Sequence, residues 1–193
     1  LNSVFGSLPI RAVKTGMLYS RPIIDVVAER LVKRSRLPLV VDPVMISSSG
    51  TPLLKPSAAA ALARRLLPLA RLVTPNLDEA ATLAKQPVRE PEAMCEAARA
   101  IHERFGCAVL VKGGHLKTTE AIDLFYDGRE EFLLSSPRAK RVSPPGTGCT
   151  YSAAITAFLA KGEPLPKAVE QAKRHMAEAF LAVYRAGKHH FLG

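Results

Sequence analysis

The residues with the clearest chemical potential form the segment Gly146-Thr147-Gly148-Cys149-Thr150, which opens a stretch of helical periodicity. The glycines allow a tight backbone path, and the first amides of a helix have no partner within the helix, so they attract anions. We expect this loop to stabilise negative charge on a transferred phosphoryl group and to favour the thiolate of Cys149, which could polarise a substrate hydroxyl. The alternative is a glycine-rich turn that opens a helix beside a small buried cysteine.

A second polar segment, residues 74–79, places an amide and a carboxylate three positions apart just after a strand-like run. This spacing is typical of a helix N-terminal capping arrangement, in which Asn76 and Glu79 bind backbone amides. The same two side chains could instead hold a hydrated Mg²⁺ whose waters contact a triphosphate. Both interpretations stay open at this point.

A third segment ends an apolar run with the residues Lys112-Gly113-Gly114-His115. The lysine and the two flexible residues would let a cation and backbone amides approach a phosphate closely. A simple turn at the end of a strand is the alternative, and we give His115 no catalytic role. The pattern is neither a Walker A loop nor a dinucleotide-binding GxGxxG motif.

A fourth polar group, the carboxylate of Asp42, follows the apolar residues 39–41, and Pro43 directs the chain outward after it. Asp42 could orient Mg²⁺ or a phosphate-bound water, or it could only cap a turn. Ligands of open parallel sheets gather at the carboxyl ends of the strands. Because each of these segments follows a strand-like run, we expect the polar groups to converge on one crevice.

The elements that must position these groups alternate between strand and helix. Helices on both faces of a parallel sheet explain why the strands read as continuous apolar runs. We predict a single three-layer α/β domain over residues 1–193, with a mostly parallel sheet. The predicted strands are residues 11–14, 38–42, 71–74 and 107–112, and the predicted helices are residues 23–33, 58–67 and 92–105.

The later part of the chain has a different pattern. Residues 121–126 and 131–134 flank the pair Asp127-Gly128, which predicts a hairpin at an antiparallel edge. Two amphipathic helices follow, at residues 147–161 and 165–184. At the other end of the chain, apolar residues resemble part of a core, and they are Val4, Phe5, Leu8 and Ile10.

Composition narrows the class of protein. The chain has 193 residues, of which 48% are hydrophobic, and no apolar run approaches the length of about 20 residues that crosses a bilayer. The three cysteines suggest neither a disulfide framework nor a four-ligand zinc site, so we expect a reducing cytoplasm.

The formal charge of +10 raises the question of nucleic acid. The basic residues are spread along the chain, so we interpret them as solvated helix faces and expect neither a nucleic-acid nor a membrane partner. They include Arg30, Lys33, Arg34, Arg64, Arg138, Lys140, Arg141, Lys173 and Arg174.

Several motifs in one order resemble the hydroxymethylpyrimidine/phosphomethylpyrimidine kinases of the ribokinase superfamily, and the resemblance covers nearly the whole chain. The motifs are Lys14-Thr15-Gly16-Met17, Asp42-Pro43-Val44-Met45, Ser49-Gly50, Thr74-Pro75-Asn76-Leu77 with Glu79, Val111-Lys112-Gly113-Gly114-His115 and Gly146-Thr147-Gly148-Cys149-Thr150. The resemblance implies a ribokinase-like α/β/α fold. It also implies ATP- and Mg²⁺-dependent phosphorylation of 4-amino-5-hydroxymethyl-2-methylpyrimidine, and then of its monophosphate, for thiamin biosynthesis.

The resemblance also implies roles for individual residues. Cys149 would face the reacting hydroxyl, and the amides of residues 146–149 would bind the transferring phosphoryl group. The pyrimidine would contact Met17 and Val44 together with Cys149. The implied ATP and phosphate ligands are Lys112, Gly113, Gly114, Asn76 and Thr147, and the implied metal ligands are Asp42, Asn76 and Glu79.

The sequence differs from the family pattern in two places. The family carries a glycine-rich segment and a substrate-binding strand before the region that matches Leu1, and we expect this chain to lack them. Pro144-Pro145 replaces a polar pair and is expected to stiffen or displace the loop. The alternatives are a pyridoxal kinase-like enzyme and a ligand-binding remnant without turnover. A homodimer is expected, because members of the superfamily often form one.

Overall fold

The computed structural model describes residues 1–46, 53–114, 116, 118–138, 144–187 and 189–193. Its strands are β1 (Val13–Thr15), β2 (Leu39–Val41), β3 (Leu72–Val73), β4 (Ala108–Lys112), β5 (Glu120–Tyr126), β6 (Glu131–Pro137), β7 (Tyr184–Ala186) and β8 (His189–Phe191). Its helices are α1 (Asn2–Ser7), α2 (Arg21–Val32), α3 (Pro56–Ala61), α4 (Leu77–Ala84), α5 (Pro91–Phe105), α6 (Thr147–Ala160) and α7 (Leu165–Leu181). A π-helical segment (Leu62–Leu66) and a 3₁₀ turn (Leu67–Leu69) extend α3.

One six-stranded sheet organises the molecule, in the order β1-β2-β3-β4-β5-β6. Strands β1 to β4 are parallel, and β5 and β6 add antiparallel to the β4 side. The register pairs Thr15 with Val41 and Val41 with Val73, so the first three strands end at the same level. Their carboxyl ends therefore open onto one edge, as the sequence predicts.

The two faces of the sheet have separate cores. On one face, Val41, Val73 and Val109 pack with buried residues of α2 to α5. On the other face, Val40 and Leu110 pack with buried residues of α6 and α7. Neighbouring strand residues point to opposite faces, so continuous apolar runs satisfy both helical layers. The predicted three-layer α/β architecture and its antiparallel edge hairpin are confirmed.

The last predicted helix is too long. The helix α7 ends at Leu181, and Tyr184 begins a small hairpin of β7 and β8 instead of continuing the helix. Gly187 adopts φ +60° in the connecting turn, and the rings of Tyr184 and Phe191 stack at 5.7 Å across the hairpin. A glycine that tolerates left-handed geometry and a cross-strand aromatic pair explain why the chain turns back here.

The apolar start of the chain is not part of the main core. Val4 lies on α1 and is 48% exposed, and Leu8, which directly follows α1, is 56% exposed. Phe5 is half-buried against the core, and the guanidinium of Arg34 covers its ring at 4.1 Å from the centroid. The prediction of core positions here is wrong for Val4 and Leu8, because the short α1 presents only one side to the domain.

Some sequence predictions fall on residues outside the described ranges: Ser49, Gly50, His115, Lys140 and Arg141. None of the helices in the described part of the chain is both long and apolar enough to span a bilayer.

Candidate active site

A buried carboxylate lies at the centre of the crevice. Asp42 follows β2, and its Oδ1 accepts hydrogen bonds from Lys112 Nζ at 2.9 Å and from Thr74 Oγ1 at 3.2 Å. Its Oδ2 accepts a hydrogen bond from Ser152 Oγ at 3.2 Å. The Asp42 side chain is 2% exposed and that of Lys112 is 15% exposed. A charge buried this deeply must be paired, so Asp42 fixes the position of the lysine amine.

The amine of Lys112 lies against the start of α6. A Cβ atom placed on Gly148 would be only 2.9 Å from Lys112 Nζ, so the close approach of the lysine depends on a residue without a side chain there. The predicted phosphate-binding lysine and the predicted anion hole are therefore one continuous surface. A cation and a helix N-terminus together attract an anion more strongly than either does alone.

The N-terminus of α6 is held by the turn before it. Gly146 adopts φ +83°, a left-handed conformation that favours glycine, and Thr150 N donates to Gly146 O at 2.9 Å. The hydroxyl of Thr147 donates to the carbonyl oxygen of Pro144 at 2.7 Å, and Pro144 is buried whereas Pro145 is exposed. The diproline thus orders the turn through the Pro144 carbonyl.

Cys149 lies in the first turn of α6 and is exposed. Partial burial of the thiol raises its pKa above the ordinary value, the negative charge of Asp42 raises it further, and the charge of Lys14 lowers it. A hydrogen bond with Asp42 also favours the protonated thiol. The prediction that the helix N-terminus favours a thiolate is therefore wrong, because partial burial of the thiol and then the neighbouring carboxylate both raise its pKa. The buried cysteine of the alternative interpretation is also wrong.

Lys14 is a site residue to which the sequence analysis assigned no role. It lies on β1, and its Nζ donates to the carbonyl oxygen of Cys149 at 3.3 Å. It therefore adds a second cation beside the anion hole. The signal for it was its place in the motif Lys14-Thr15-Gly16-Met17, at the end of a predicted strand. Thr74 and Ser152 were missed as well, because only the folded chain brings their hydroxyls to Asp42.

Asn76 and Glu79 form the predicted capping box of α4. Glu79 N donates to Asn76 Oδ1 at 2.9 Å, and Asn76 N donates to Glu79 Oε2 at 2.9 Å. Glu79 Oε1 accepts from Met45 N at 3.2 Å. Burial raises the pKa of Glu79 above its ordinary value, although the positive charge of Lys112 opposes this. The capping interpretation is confirmed.

These contacts bear on the predicted Mg²⁺ site of Asp42, Asn76 and Glu79. Backbone amides take both carboxylate oxygens of Glu79, and three side chains donate to Asp42. Within the described ranges, no three His, Cys, Asp or Glu side chains are placed to hold a metal ion together. The oxygens of all three residues already accept hydrogen bonds, so these contacts favour a cation held through water over direct coordination. A hydrated Mg²⁺ held through water stays a prediction.

The predicted pyrimidine contacts, Met17 and Val44, follow the adjacent strands β1 and β2 at the crevice edge. Met17 is 54% exposed, and Val44 is half-buried, with its amide donating to Asp42 O at 2.9 Å. Their role in substrate binding stays a prediction.

A second buried ion pair supports the loop after β4. Lys173 Nζ lies 2.7 Å from Asp123 Oδ2, and Asp123 Oδ1 accepts from Gly113 N at 3.0 Å. A Cβ atom on Gly113 would collide with the carbonyl oxygen of Ile122. Gly113 is thus packed directly against β5, which explains the glycine at this position.

Two basic residues correct the prediction of solvated helix faces. Lys173 is on α7, but its side chain is only 9% exposed, because it is paired with Asp123. Arg138 is not helical; it directly follows β6 and donates to backbone carbonyls of the β4–β5 connection. Charge counting missed both, because it does not reveal which cations find internal acceptors.

Comparison with known proteins agrees with this geometry. The phosphomethylpyrimidine kinase family matches residues 1–192. The chain is 48% identical over 186 residues to a hydroxymethylpyrimidine/phosphomethylpyrimidine kinase of Rhizobium meliloti, covering 96% of this chain and 70% of that protein. It is 40% identical over 190 residues to the thiamine biosynthesis bifunctional protein ThiED of Geobacter sulfurreducens, covering 98% of this chain but only 39% of that protein.

Solved structures share the fold. An ADP complex of Bacillus subtilis pyridoxal kinase superposes with a TM-score of 0.89 at 33% identity, covering 99% of this chain and 72% of that one. A Staphylococcus aureus pyridoxal kinase in complex with AMP-PCP and pyridoxal gives 0.85 at 34% identity, covering 95% and 66%. A phosphomethylpyrimidine kinase from Clostridium difficile 630 gives 0.80 at 38% identity, covering 92% and 72%.

The described architecture is thus the ribokinase-like α/β/α fold of small-molecule kinases. The chain belongs to the phosphomethylpyrimidine kinase family.

Proposed function

We propose that this chain transfers a phosphoryl group from ATP to the hydroxymethyl group of 4-amino-5-hydroxymethyl-2-methylpyrimidine, and then to the resulting monophosphate, in thiamin biosynthesis. The observation that carries the proposal is the position of the Lys112 amine, held by Asp42 at 2.9 Å and set against Gly148 at the start of α6. The names of the relatives support the choice of substrate.

The geometry suits phosphoryl transfer because that reaction depends mainly on positioning and charge stabilisation. In the proposal, Lys112 and the amides of residues 146–149 stabilise the negative charge of the transferring phosphoryl group. Lys14, 3.3 Å from the Cys149 carbonyl, adds a second cation on the β1 side. The pyrimidine would lie over Met17 and Val44, with its hydroxymethyl group toward Cys149.

Cys149 enters this proposal as a neutral thiol. Because burial and Asp42 raise its pKa, the thiol is protonated near neutral pH and can contact the reacting hydroxyl as a hydrogen-bonding group. The hydroxyl oxygen forms the new bond to phosphorus, the bond between phosphorus and the leaving ADP breaks, and the hydroxyl proton passes to solvent water, which reaches the exposed Cys149.

The donor in this proposal is ATP, since solved neighbours are complexes with ADP and AMP-PCP. We propose that Mg²⁺ accompanies the triphosphate and is held by it and by water. The surroundings of Glu79 and Asp42 are consistent with outer contacts of this kind only. Gly113, Gly114, Asn76 and Thr147 stand as proposed phosphate contacts.

The test is ATP turnover by the 193-residue chain with hydroxymethylpyrimidine, beside Cys149→Ala, Cys149→Ser and the surface control Arg99→Ala. We expect turnover in the parent and the control. We expect a large loss in the alanine variant and a smaller loss in the serine variant, which keeps a hydrogen-bonding group. Equal turnover in all variants would contradict the role of Cys149, and no turnover in the parent would contradict the proposed function.

A pyridoxal kinase-like activity is the second candidate, favoured by the TM-scores of 0.89 and 0.85 to pyridoxal kinases. Competition between pyridoxal and hydroxymethylpyrimidine at limiting ATP separates the two activities. A preference for the pyrimidine supports the first proposal. Nucleotide binding without transfer to either substrate would instead support the ligand-binding interpretation.

Location and assembly are further proposals. All three cysteines are free, which supports the reducing cytoplasm predicted from the sequence. Homodimer formation stays a prediction and is checked by sedimentation.

A further inference from the structure

A single arginine holds the far side of the loop that follows Lys112. Arg138 Nη1 donates to Gly114 O at 2.6 Å, and Arg138 Nη2 donates to Leu116 O at 2.6 Å. Arg138 Nε donates to Thr118 O at 3.2 Å, and Nη2 reaches Glu120 O at 3.4 Å. Three of these four acceptors lie between β4 and β5, and Glu120 is the first residue of β5. The planar guanidinium can bind several acceptors at once because its donors have a fixed geometry.

The near side of the same loop is held by the Lys173–Asp123 pair. Asp123 Oδ1 accepts from Gly113 N at 3.0 Å, while Lys173 Nζ binds Asp123 Oδ2 at 2.7 Å and Ala121 O at 2.8 Å. The two side chains are 6% and 9% exposed, so water competes little for these bonds. The backbone amide of Gly113 is therefore hydrogen-bonded to the buried carboxylate of Asp123.

Both sets of contacts act on the backbone immediately after Lys112. Lys112 and Asp123 are directly paired across β4 and β5, and directly opposed residues share one face of a sheet. The amine of Lys112 extends from this position to Asp42 and the start of α6. A shift of the loop would move both this lysine and the amides of Gly113 and Gly114.

We infer that Arg138 and the Lys173–Asp123 pair form a loop clamp that positions Lys112, Gly113 and Gly114 to bind the phosphates of a nucleotide. The inference rests on the proposed function and adds three positioning residues to it. None of the three needs to contact the ligand. On one side of the loop, the guanidinium of Arg138 donates hydrogen bonds to backbone carbonyl oxygens. On the other side, the carboxylate of Asp123 accepts a hydrogen bond from a backbone amide. The nucleotide therefore meets Gly113 and Gly114 already held in place, and less affinity is lost to fixing their position.

The first experiment compares Arg138→Ala and Arg138→Lys with Arg99→Ala. Arg99 is a control because its guanidinium too makes more than one hydrogen bond, to Glu131 at 2.9 and 3.0 Å, but away from this loop. ATP affinity is measured by calorimetry without acceptor substrate, and backbone hydrogen exchange is followed in the peptide covering residues 112–120. We expect the Kd for ATP to rise about tenfold in Arg138→Ala, with faster exchange, from the loss of several hydrogen bonds.

Arg138→Lys keeps the positive charge but loses the planar guanidinium that donates to several carbonyl oxygens at once. Its Kd for ATP is therefore expected to lie between those of the parent and Arg138→Ala. Arg99→Ala is expected to leave affinity and exchange unchanged. Parent-like ATP affinity in Arg138→Ala overturns the inference, as does an equal loss in Arg99→Ala. A protein that binds ATP but phosphorylates neither pyrimidine nor pyridoxal overturns the proposed function instead and leaves the clamp supported by the affinity series.

The second experiment separates positioning from stability at the buried pair. The variant Asp123→Asn with Lys173→Met removes both charges but keeps an acceptor for Gly113 N–H, whereas Asp123→Leu with Lys173→Met removes the acceptor too. We expect the first variant to bind ATP within about threefold of the parent and the second about tenfold more weakly. The second variant should also melt at a lower temperature than the first, because Gly113 N–H loses its buried acceptor. Equal ATP affinities in the two double variants would show that the pair stabilises the fold only.

Discussion

Two lysine–aspartate pairs lie at the end of β4, and they differ in what surrounds the carboxylate. In the Lys112–Asp42 pair, the aspartate also accepts from the hydroxyls of Thr74 and Ser152, and the lysine is 15% exposed. In the Lys173–Asp123 pair, the aspartate holds a backbone amide, and the lysine is 9% exposed. We call Lys112–Asp42 the open pair, because its lysine faces the crevice, and Lys173–Asp123 the closed pair.

A lysine–aspartate pair can therefore serve either in ligand binding or in structural support, depending on which other groups bind the carboxylate. A buried ion pair gains little net stability over an apolar pair, but removal of one partner leaves an uncompensated charge. Where the lysine reaches solvent, it remains available to an anionic ligand. Where backbone groups complete the pair, the result is a rigid support. The predictions below separate these roles.

The largest effect is expected at the closed pair. Asp123→Ala leaves Lys173 without its carboxylate and Gly113 N without its acceptor, so we expect the free energy of unfolding to fall by about 3–5 kcal/mol. Urea unfolding followed by circular dichroism measures this change. A loss below about 1 kcal/mol, the range of exposed pairs, would mean that water reaches the Asp123 site.

Lys112→Met tests the open pair and is expected to affect catalysis more than folding. By analogy with removal of one charge-stabilising donor, we expect kcat to fall about 10²–10³-fold. The loss of stability should be smaller than in Asp123→Ala, because Thr74 and Ser152 still donate to Asp42. Steady-state kinetics and urea unfolding of the same preparation check both parts. An unchanged kcat in Lys112→Met would contradict the role in catalysis that is assigned to the Lys112–Asp42 pair.

The glycines beside the two pairs give a matched comparison. Alanine at Gly113 would collide with the Ile122 carbonyl, so we expect a loss of about 1–3 kcal/mol in unfolding free energy. Alanine at Gly148 would meet only the mobile end of Lys112 at 2.9 Å, and alanine favours a helix by about 0.5–1 kcal/mol over glycine. Gly148→Ala should therefore stay folded and bind ATP more weakly. Thermal unfolding and calorimetry distinguish the two outcomes.

The smallest effect concerns the acidity of Cys149. Because burial and Asp42 raise its pKa, alkylation by iodoacetamide should become half-maximal above pH 9.0, the ordinary value for a cysteine thiol. Asp42→Asn removes the negative charge, so the midpoint should move to lower pH. Mass spectrometry of the peptide containing Cys149 measures the rate at each pH. Cys107 is the internal control, since burial raises its pKa to about 12.

A midpoint below pH 9.0 in the parent would restore the thiolate that the sequence analysis expected. It would also mean that the α6 N-terminus outweighs Asp42 at this position.

The sequence predicted the sheet because its strands are buried on both faces, a pattern that few other structures require. It also predicted the convergence of Asp42, Lys112 and Gly148, since all three are near strand ends or the loop facing them. Those features follow from local composition and from the rule for parallel sheets.

The remaining features depend on distant partners. Nothing local to Lys173 or Arg138 indicates an internal acceptor, because those acceptors are Asp123 and the carbonyls of another loop. The acidity of Cys149 was predicted from its helix position alone. Its pKa is raised by burial, which only the folded chain produces, and then by the carboxylate of Asp42, which is 107 positions away in the sequence (149 minus 42). Long-range electrostatics cannot be obtained from a motif.

The burial of Asp42 has a consequence for the growing chain. Its three donors are 32, 70 and 110 positions later in the sequence. While the ribosome has made only the first strands, the carboxylate must remain hydrated, because a buried charge without partners is too costly. Asp42 therefore acquires its full set of donors only after Ser152 has been synthesised, so the candidate active site cannot be completed while the sheet is being made.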